Sequence, residues 1–438
     1  MNASAHFDQD PLPQFSLARD YAQDLDAADI LAPYRKQFEL PAHANGQPLL
    51  YLCGHSLGLA PRAALDYVSE ELADWAQLGV TGHHTATRPW IDYAQNFTKG
   101  LQHVTGALAT EVVAMNSLTI NLHLMMASFY RPVGMRDKVL IEEGAFSSDR
   151  HAVLGQLAWH KLDPADTLVE IAPRAGEETL RVEDIETRIE ELGSELALVL
   201  FPGVQYRTGQ AFDLARITRA AHRVGALAGF DLAHAIGNLP LSLHDWDVDF
   251  AVWCSYKYLN AGPGAVGGAF VHEKLFAQEP LRLSGWWGHD PNTRFQMRPD
   301  FEPAQGAAGW AVSNPPIFSS APLIASLEMF RAANIEDLRA KSVRLTAYAE
   351  RLIQQQCSGH VQIITPANPS ERGCQLSLRV IGGQRRGRRV FDALGDHAIV
   401  CDWREPDIIR VAPTPFYNRF VEVHELVDEL AAALKEIA

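Results

Sequence analysis

The chain is predicted to be an α/β protein: a mostly parallel sheet with helices on both faces, followed by a smaller α+β C-terminal domain. Three observations predict this. Short, nearly continuous apolar runs recur from Leu49 onward, amphipathic stretches of helical period separate them, and the order of elements changes after about residue 320. Strands buried on both faces read as unbroken apolar runs, and strand–helix–strand order sets such strands parallel.

Residues 1 to about 48 are polar and punctuated by proline, with one short helical pattern near 27–37, and an N-terminal segment is placed over 1–60. Strands are predicted at LLYLC (49–53), VVAM (112–115), KVLIEE (138–143), ALVLF (197–201), ALAGFD (226–231) and DFAVWC (249–254). Helices are predicted over 62–78, 92–108, 147–159, 182–192 and 214–224. These elements form a large domain over 61–315, whose last part, from Ser284, reads as loop as far as Ser320. The small domain, 316–438, begins with a helical pattern at 334–356. Strands follow at 361–364, 374–381 and 398–411, then a closing helix at 421–436. Arg385, Arg386, Arg388 and Arg389 read as a solvated helix face.

Composition narrows the function. With 438 residues, 47% hydrophobic, 21% charged and a net charge of −15, the chain is an ordinary globular protein. Its acidic balance argues against nucleic acid or an anionic membrane as the main partner. An anionic ligand must therefore be drawn by a local site. Cys53, Cys254, Cys357, Cys374 and Cys401 show no CxxC spacing and read as buried free thiols, so neither a disulfide framework nor a metal site is expected. The N-terminus has no basic segment leading into an apolar one, and no apolar run approaches about 18 residues. A soluble, cytoplasmic protein is expected.

Several motifs carry less than they suggest. Gly54-His55-Ser56-Leu57-Gly58 matches the G-x-S-x-G of serine hydrolases. Only one strand precedes it, however, and Pro61 delays the helix, so a glycine turn at the rim of a pocket is the competing reading. Gly262, Gly264 and Gly267 spell a dinucleotide fingerprint, but a strand-like GAFVHEK follows where a helix is required. His424-Glu425 lacks the second histidine of a zinc protease, since position 428 is Asp. His83 and His84 lie in a polar loop that reads equally as substrate-contacting or solvated.

Three features converge on chemistry. Asp231 ends a buried strand with His234 close behind, where an acid is placed either for a ligand or as a helix cap. The next strand ends in Ser255-Tyr256-Lys257 before a glycine-rich stretch, and burial at a strand end makes a lysine nucleophilic toward aldehydes. VVAM is followed by Asn116-Ser117-Leu118-Thr119 opening a helix, an anion site suited to a phosphate. Phe146 ends a further strand and can stack on a ring. A strand-end Asp and a strand-end Lys one strand apart fit pyridoxal 5′-phosphate (PLP). The lysine forms the Schiff base and the acid keeps the pyridine nitrogen protonated.

With these residues in place, the chain resembles the fold-type-I PLP enzymes and, more narrowly, the kynureninase family. The matching stretches are YLCGHSLGL, NSLTINLH, GAFSSD, FDLAHAIGN, VWCSYKYLNAGPG, GWWGH, SNPPI and IIRVAPTPFYN. The resemblance implies hydrolysis of L-kynurenine or 3-hydroxy-L-kynurenine to L-alanine and an anthranilate, in tryptophan breakdown or NAD biosynthesis. It implies catalytic roles for Lys257, Tyr256 and Asp231. Leu118, Thr119, Phe146, Ser147, Ser148, Asp149 and His234 are the further residues implied around the cofactor. Trp286 and Asn314 are implied to reach the site from a neighbouring subunit, hence a homodimer with shared sites. Arg410 is implied to take the substrate carboxylate. Ser56, His83 and Asn314 are implied near the substrate, the last two resembling a pair that favours the 3-hydroxy form. Pro202 departs from the family, where relatives often carry a hydroxyl. The rival readings are a cysteine desulfurase-like PLP enzyme, which needs a loop cysteine, and a serine hydrolase using Ser56.

Overall fold

The computed structural model describes residues 10–43, 46–278 and 280–437. Residues 1–9, 44 and 45 of the expected N-terminal segment lie outside the described residues, and with them most of the stretch on which the expectation about a leader rests.

At the centre is a seven-stranded sheet in the order Val112–Ala114, Gly268–Val271, Phe250–Trp253, Leu227–Asp231, Leu196–Pro202, Lys138–Glu142, Leu168–Ile171. Gly268–Val271 runs against both neighbours, and all other pairs are parallel. The unbroken apolar runs serve two cores at once. Along the inner strands Leu140 and Val199 enter one core, while Val139, Ile141, Leu198 and Leu200 enter the other. Alternate residues face opposite ways, so a sheet covered on both sides needs apolar residues at every position. Helices Arg62–Leu78, Gln95–Thr105, Ser147–Trp159, Val182–Leu192 and Leu214–Arg223 fall on the predicted stretches. Gln95–Thr105 stops at Gly106, which has φ of +64°, and a Cβ there would lie 2.5 Å from the Leu241 carbonyl oxygen.

A second core forms around a four-stranded antiparallel sheet, ordered Asp402–Arg404, Ile408–Val411, Leu376–Val380, Val361–Ile363. Helices Ile335–Gln356, Gln384–Asp396 and Phe420–Glu436 cover it. The stretch read as one strand at 398–411 is three short ones.

Three further differences have physical causes. LLYLC does not join the large sheet: Leu50–Tyr51 pairs with Ile399–Val400, and Leu12, Ala22, Leu25 and Leu52 pack into the second core. Asp26 strengthens this attachment by accepting the N–H groups of Phe420 at 2.7 Å and Val421 at 3.1 Å, at the start of the last helix. Helix Ile317–Ala332 occupies a region partly read as loop. It carries Pro322 and is apolar all round, so it shows no amphipathic stripe. It packs against Arg62–Leu78 and Gln95–Thr105 in the core of the large sheet, although the sequence reading starts the small domain at 316. The edge strand Leu168–Ile171 is half-exposed and broken by Glu170, too weak a pattern to read. Among the described residues, no helix is long and apolar enough to cross a membrane.

Candidate active site

The carboxyl ends of four neighbouring parallel strands converge on one cavity. Glu142, Pro202 and Asp231 end three of them, and the fourth, Phe250–Trp253, runs on into Tyr256 and Lys257. Cavities form at this edge of open α/β sheets because the covering helices diverge there. The remaining walls come from the first turns of helices Leu118–Phe129 and Ser147–Trp159, through Leu118, Thr119, Ser148 and Asp149, and from Phe146, Val204, Tyr206, Ala233 and His234.

One end of the cavity suits an anion. The hydroxyls of Thr119 and Ser148 lie 2.6 Å apart. Each stands in the first turn of a helix that no side chain caps, and the leading N–H groups of a helix are suited to an anion.

The floor is acidic. Glu142, Asp149 and Asp231 are all buried. Asp231 accepts the N–H of Ala233 at 2.7 Å and pairs with Asp149. Burial raises all three carboxyls, Glu142 and Asp149 to well above the usual range. The Asp149 hydrogen bond, the charge of Lys257 and the Ala233 N–H all work to keep Asp231 ionised. Asp149 therefore holds the proton of the pair and Asp231 the charge. A buried anion beside Lys257 is suited to a protonated heterocyclic nitrogen.

Lys257 is half-buried just beyond its strand end and faces the cavity. Its Nζ lies 5.8 Å from the centres of both the Phe146 and the Tyr256 rings. Phe146 is 41% exposed and meets Tyr206 edge-on at 5.2 Å. Burial pushes the Tyr256 phenol up, so it keeps its proton at neutral pH. Burial, then the charge of Lys257, pushes the His234 imidazole well below its usual range. His234 Nδ1 and Asp149 Oδ1 are buried without a hydrogen-bond partner, the mark of a place where a ligand completes the bonding.

Other expected site residues lie outside this wall. Arg410 is 1% exposed on the smaller sheet and reaches the site through Tyr206, whose carbonyl accepts its Nη1 at 2.7 Å. Ser147 is exposed on the first residue of its helix. His83 is exposed on the short helix Gly82–Thr85, edge-on to Trp90 at 5.4 Å. Trp286 is 47% exposed, with Nε1 donating to the Arg294 carbonyl at 3.2 Å, and Asn314 is exposed. Ser56 sits on a turn whose glycines make room for the lysine loop: a Cβ at Gly58 would lie 2.3 Å from the Lys257 carbonyl oxygen. None of these six lines the cavity of a single chain. Glu142, Val204 and Tyr206 line it unforeseen. Glu142 carried the same signal as Asp231, an acid ending an apolar strand. Tyr206 had no local signal, because its loop is held by Arg410 and Gln375 of the other sheet.

Among known proteins, the family model for the kynureninase C-terminal domain matches residues 338–430. The kynureninase of Stenotrophomonas maltophilia (strain K279a) is 55% identical over 417 residues, 95% of this chain and 98% of the relative. The chain belongs to the kynureninase family. The kynureninase of Myxococcus xanthus (strain DK1622) is similar at 53% identity, over 96% of this chain and 99% of its own. Two solved structures share the fold at lower identity. A C-DES mutant with glycine covalently linked to its PLP cofactor aligns with TM-score 0.75 at 20% identity, covering 91% of this chain and 98% of that one. The cysteine desulfurase CsdA of Escherichia coli aligns at 0.75 and 17%, covering 93% and 99%. Against kynureninase relatives above 50% identity, the desulfurase likeness is one of fold. Cys374 is fully buried beside the strand Leu376–Val380 and does not fit the loop cysteine that a desulfurase needs.

Proposed function

We propose that the chain hydrolyses the Cβ–Cγ bond of L-kynurenine or 3-hydroxy-L-kynurenine, releasing L-alanine and anthranilate or 3-hydroxyanthranilate, with PLP as cofactor. The observation that carries the reading is the placement of Asp231 and Lys257 at adjacent strand ends facing one cavity, opposite the Thr119–Ser148 hydroxyl pair. The cavity matches each part of PLP: an amine for the aldehyde, an anion for the ring nitrogen, helix N-termini for the phosphate and an aromatic for the ring face. Orphaned polar atoms on His234 and Asp149 fit a site completed by a polar ligand.

When bound, PLP serves as an electron sink for negative charge developing at the substrate α-carbon. The protein residues do the rest. Lys257 would anchor the cofactor and, as an amine facing the cavity, would carry a proton to and from the substrate α-carbon. Asp231 holds the ring nitrogen protonated, and Asp149 fixes Asp231 by donating its own proton. Tyr256 keeps its phenolic proton available for transfer near the substrate. Phe146 would cover the ring face, while Leu118, Thr119 and Ser148 would surround the phosphate, with Ser147 exposed beside them at the helix start. Arg410 takes the substrate carboxylate as a fork. Water adds to the γ-carbonyl, the Cβ–Cγ bond breaks, the acyl part leaves as the anthranilate, and a proton taken up at Cβ completes L-alanine.

Trp286 and Asn314 are supplied by a second copy of the chain in a homodimer, which their exposure in one chain supports. His83 and Asn314 then face the aryl end of the substrate, with Ser56 nearby. The two cores support a large cofactor-binding domain and a smaller C-terminal one that contributes Arg410. The reading extends to a cytoplasmic enzyme of tryptophan breakdown or NAD biosynthesis.

The test is turnover by the PLP-loaded protein. L-kynurenine is expected to yield anthranilate and alanine in equal amounts, with both lost in Lys257→Ala along with the visible absorbance of the bound cofactor. Turnover of neither substrate, or turnover retained in Lys257→Ala, would refute it.

A further inference from the structure

Arg410 has a partner of its own. On the smaller sheet it lies directly across from Asp402 of the neighbouring antiparallel strand. Opposed residues in an antiparallel pair project to the same face, so strand register alone brings the carboxylate to the guanidinium. Arg410 Nε donates to Asp402 Oδ2 at 2.6 Å, and Nη2 donates to the same oxygen. Nη1 donates to the Tyr206 carbonyl at 2.7 Å.

A guanidinium carries five N–H bonds in one plane. These three contacts use the Nε side and one N–H of each terminal nitrogen. One N–H on Nη1 and one on Nη2 remain, enough for a two-pronged grip on a second carboxylate. Asp402 is itself held in place. Arg404 Nε donates to its Oδ2 at 3.0 Å, and His55 Nε2 stands 3.6 Å from the same oxygen. Burial works to raise the Asp402 carboxyl, but His55 and the Arg410 guanidinium outweigh it and hold it below the usual range. His55 is fully buried, with both ring nitrogens lacking a hydrogen-bond partner. Burial and the charge of Arg410 push it down to about 3, so at neutral pH it adds no further positive charge beside those of Arg410 and Arg404.

We propose that Asp402 is the positioning residue of the substrate-carboxylate site: it occupies the Nε side of Arg410 and so presents the remaining Nη1–Nη2 fork to the α-carboxylate of an amino-acid substrate. This rests on the role read for Arg410 above. Asp402 touches neither substrate nor cofactor and acts through Arg410. Its effect should therefore fall on ligands that carry an α-carboxylate and spare those that lack one.

The experiment uses PLP-loaded protein, L-kynurenine as substrate and kynuramine, the same aryl ketone amine without the carboxylate, as a competing ligand. Asp402→Asn is expected to raise KM for L-kynurenine by about 10- to 100-fold, the weight of one charge-assisted contact. The fall in kcat should be much smaller, the inhibition constant of kynuramine should stay within about threefold, and the cofactor absorbance should be unchanged. Asp402→Glu, which keeps the charge but moves it by one methylene, is expected to give an intermediate KM and serves as the variant if Asp402→Asn does not fold. Equal weakening of both ligands, or an unchanged KM, would overturn the proposal. Arg410→Gln separates the two levels. If it leaves KM unchanged, the carboxylate role of Arg410 fails. If it raises KM while Asp402→Asn does not, only the role of Asp402 fails.

Discussion

The two edges of the large sheet both bury charge, and they handle it in opposite ways. At the amino edge, before Val112–Ala114 and after Gly268–Val271, Glu111 is fully buried among histidines. It accepts the N–H groups of Leu108 at 2.8 Å and Glu273 at 2.9 Å, and meets His244 Nδ1 at 3.0 Å. His272 Nε2 lies 3.2 Å from the His244 carbonyl, its Nδ1 accepts the Lys274 N–H at 3.2 Å, and the two histidine rings stack at 4.9 Å. The carboxylate and imidazoles thus answer one another. At the carboxyl edge three acids crowd together, and His234 and Asp149 keep buried atoms without partners. Closed bonding marks a clamp that stabilises the fold. Open bonding marks a place kept for a ligand, at a cost in stability.

Substitutions at the two edges should therefore separate activity from stability. The largest effect is expected at Lys257: Lys257→Ala lowers kcat by at least about a thousandfold with the denaturant midpoint of the apoprotein little changed. A large fall in that midpoint would show that Lys257 supports the fold and blur the contrast. Next is Asp231→Asn, expected to lower kcat by about two orders of magnitude without lowering apoprotein stability at neutral pH, since a buried carboxylate is replaced by a neutral group of the same shape. A destabilised apoprotein would mean that the acidic floor is as closed as the opposite edge.

Glu111→Gln should behave in the reverse way. It weakens a buried carboxylate that serves three donors, and is expected to cost about 1–3 kcal/mol of stability with kcat/KM within about twofold. Urea unfolding beside steady-state kinetics decides it, and a loss of activity without a loss of stability would remove the distinction between the edges. The smallest effect is in pH. The hydrogen bond to Glu111 raises the His244 imidazole above its ordinary value of 6.5. A raised histidine stabilises the fold fully below its unfolded value, and the contribution is lost as pH rises through the folded value. The stability difference between the parent protein and His244→Gln should be larger at about pH 6 than at about pH 9. It should stay under about 1 kcal/mol, because His244 is partly exposed and screened. A difference that grows with pH would reverse the sign.

Residues that announce themselves locally were legible. Asp231, Lys257, Phe146 and Thr119 each stand where an apolar strand stops or a helix starts, and strand-end placement is a property of neighbouring residues. Glu142 carried that signal and was passed over. Tyr206 and His55 carried none, because the groups they meet, Gln375, Arg410 and Asp402, come from distant segments. Asp402 is close to Arg410 in the chain, but reading 398–411 as one strand hides the antiparallel pair that brings them together. Helix Ile317–Ala332 was hidden for a different reason: burial on every side erases the period that exposes a helix. The strand LLYLC was read correctly as apolar and extended, but a two-residue parallel pairing with Ile399–Val400 leaves no trace in either segment.

The sequence alone determined the mostly parallel sheet, the cavity at its carboxyl edge, and the lysine and aspartate that line it, because hydrophobic period and strand ends are local. Only the tertiary structure decided which acids share a proton, that the N-terminal segment packs into the C-terminal core, and that Arg410 comes already paired with Asp402. The first two depend on burial, which exists only once distant parts of the chain have packed together, and the third on the antiparallel register of two short neighbouring strands.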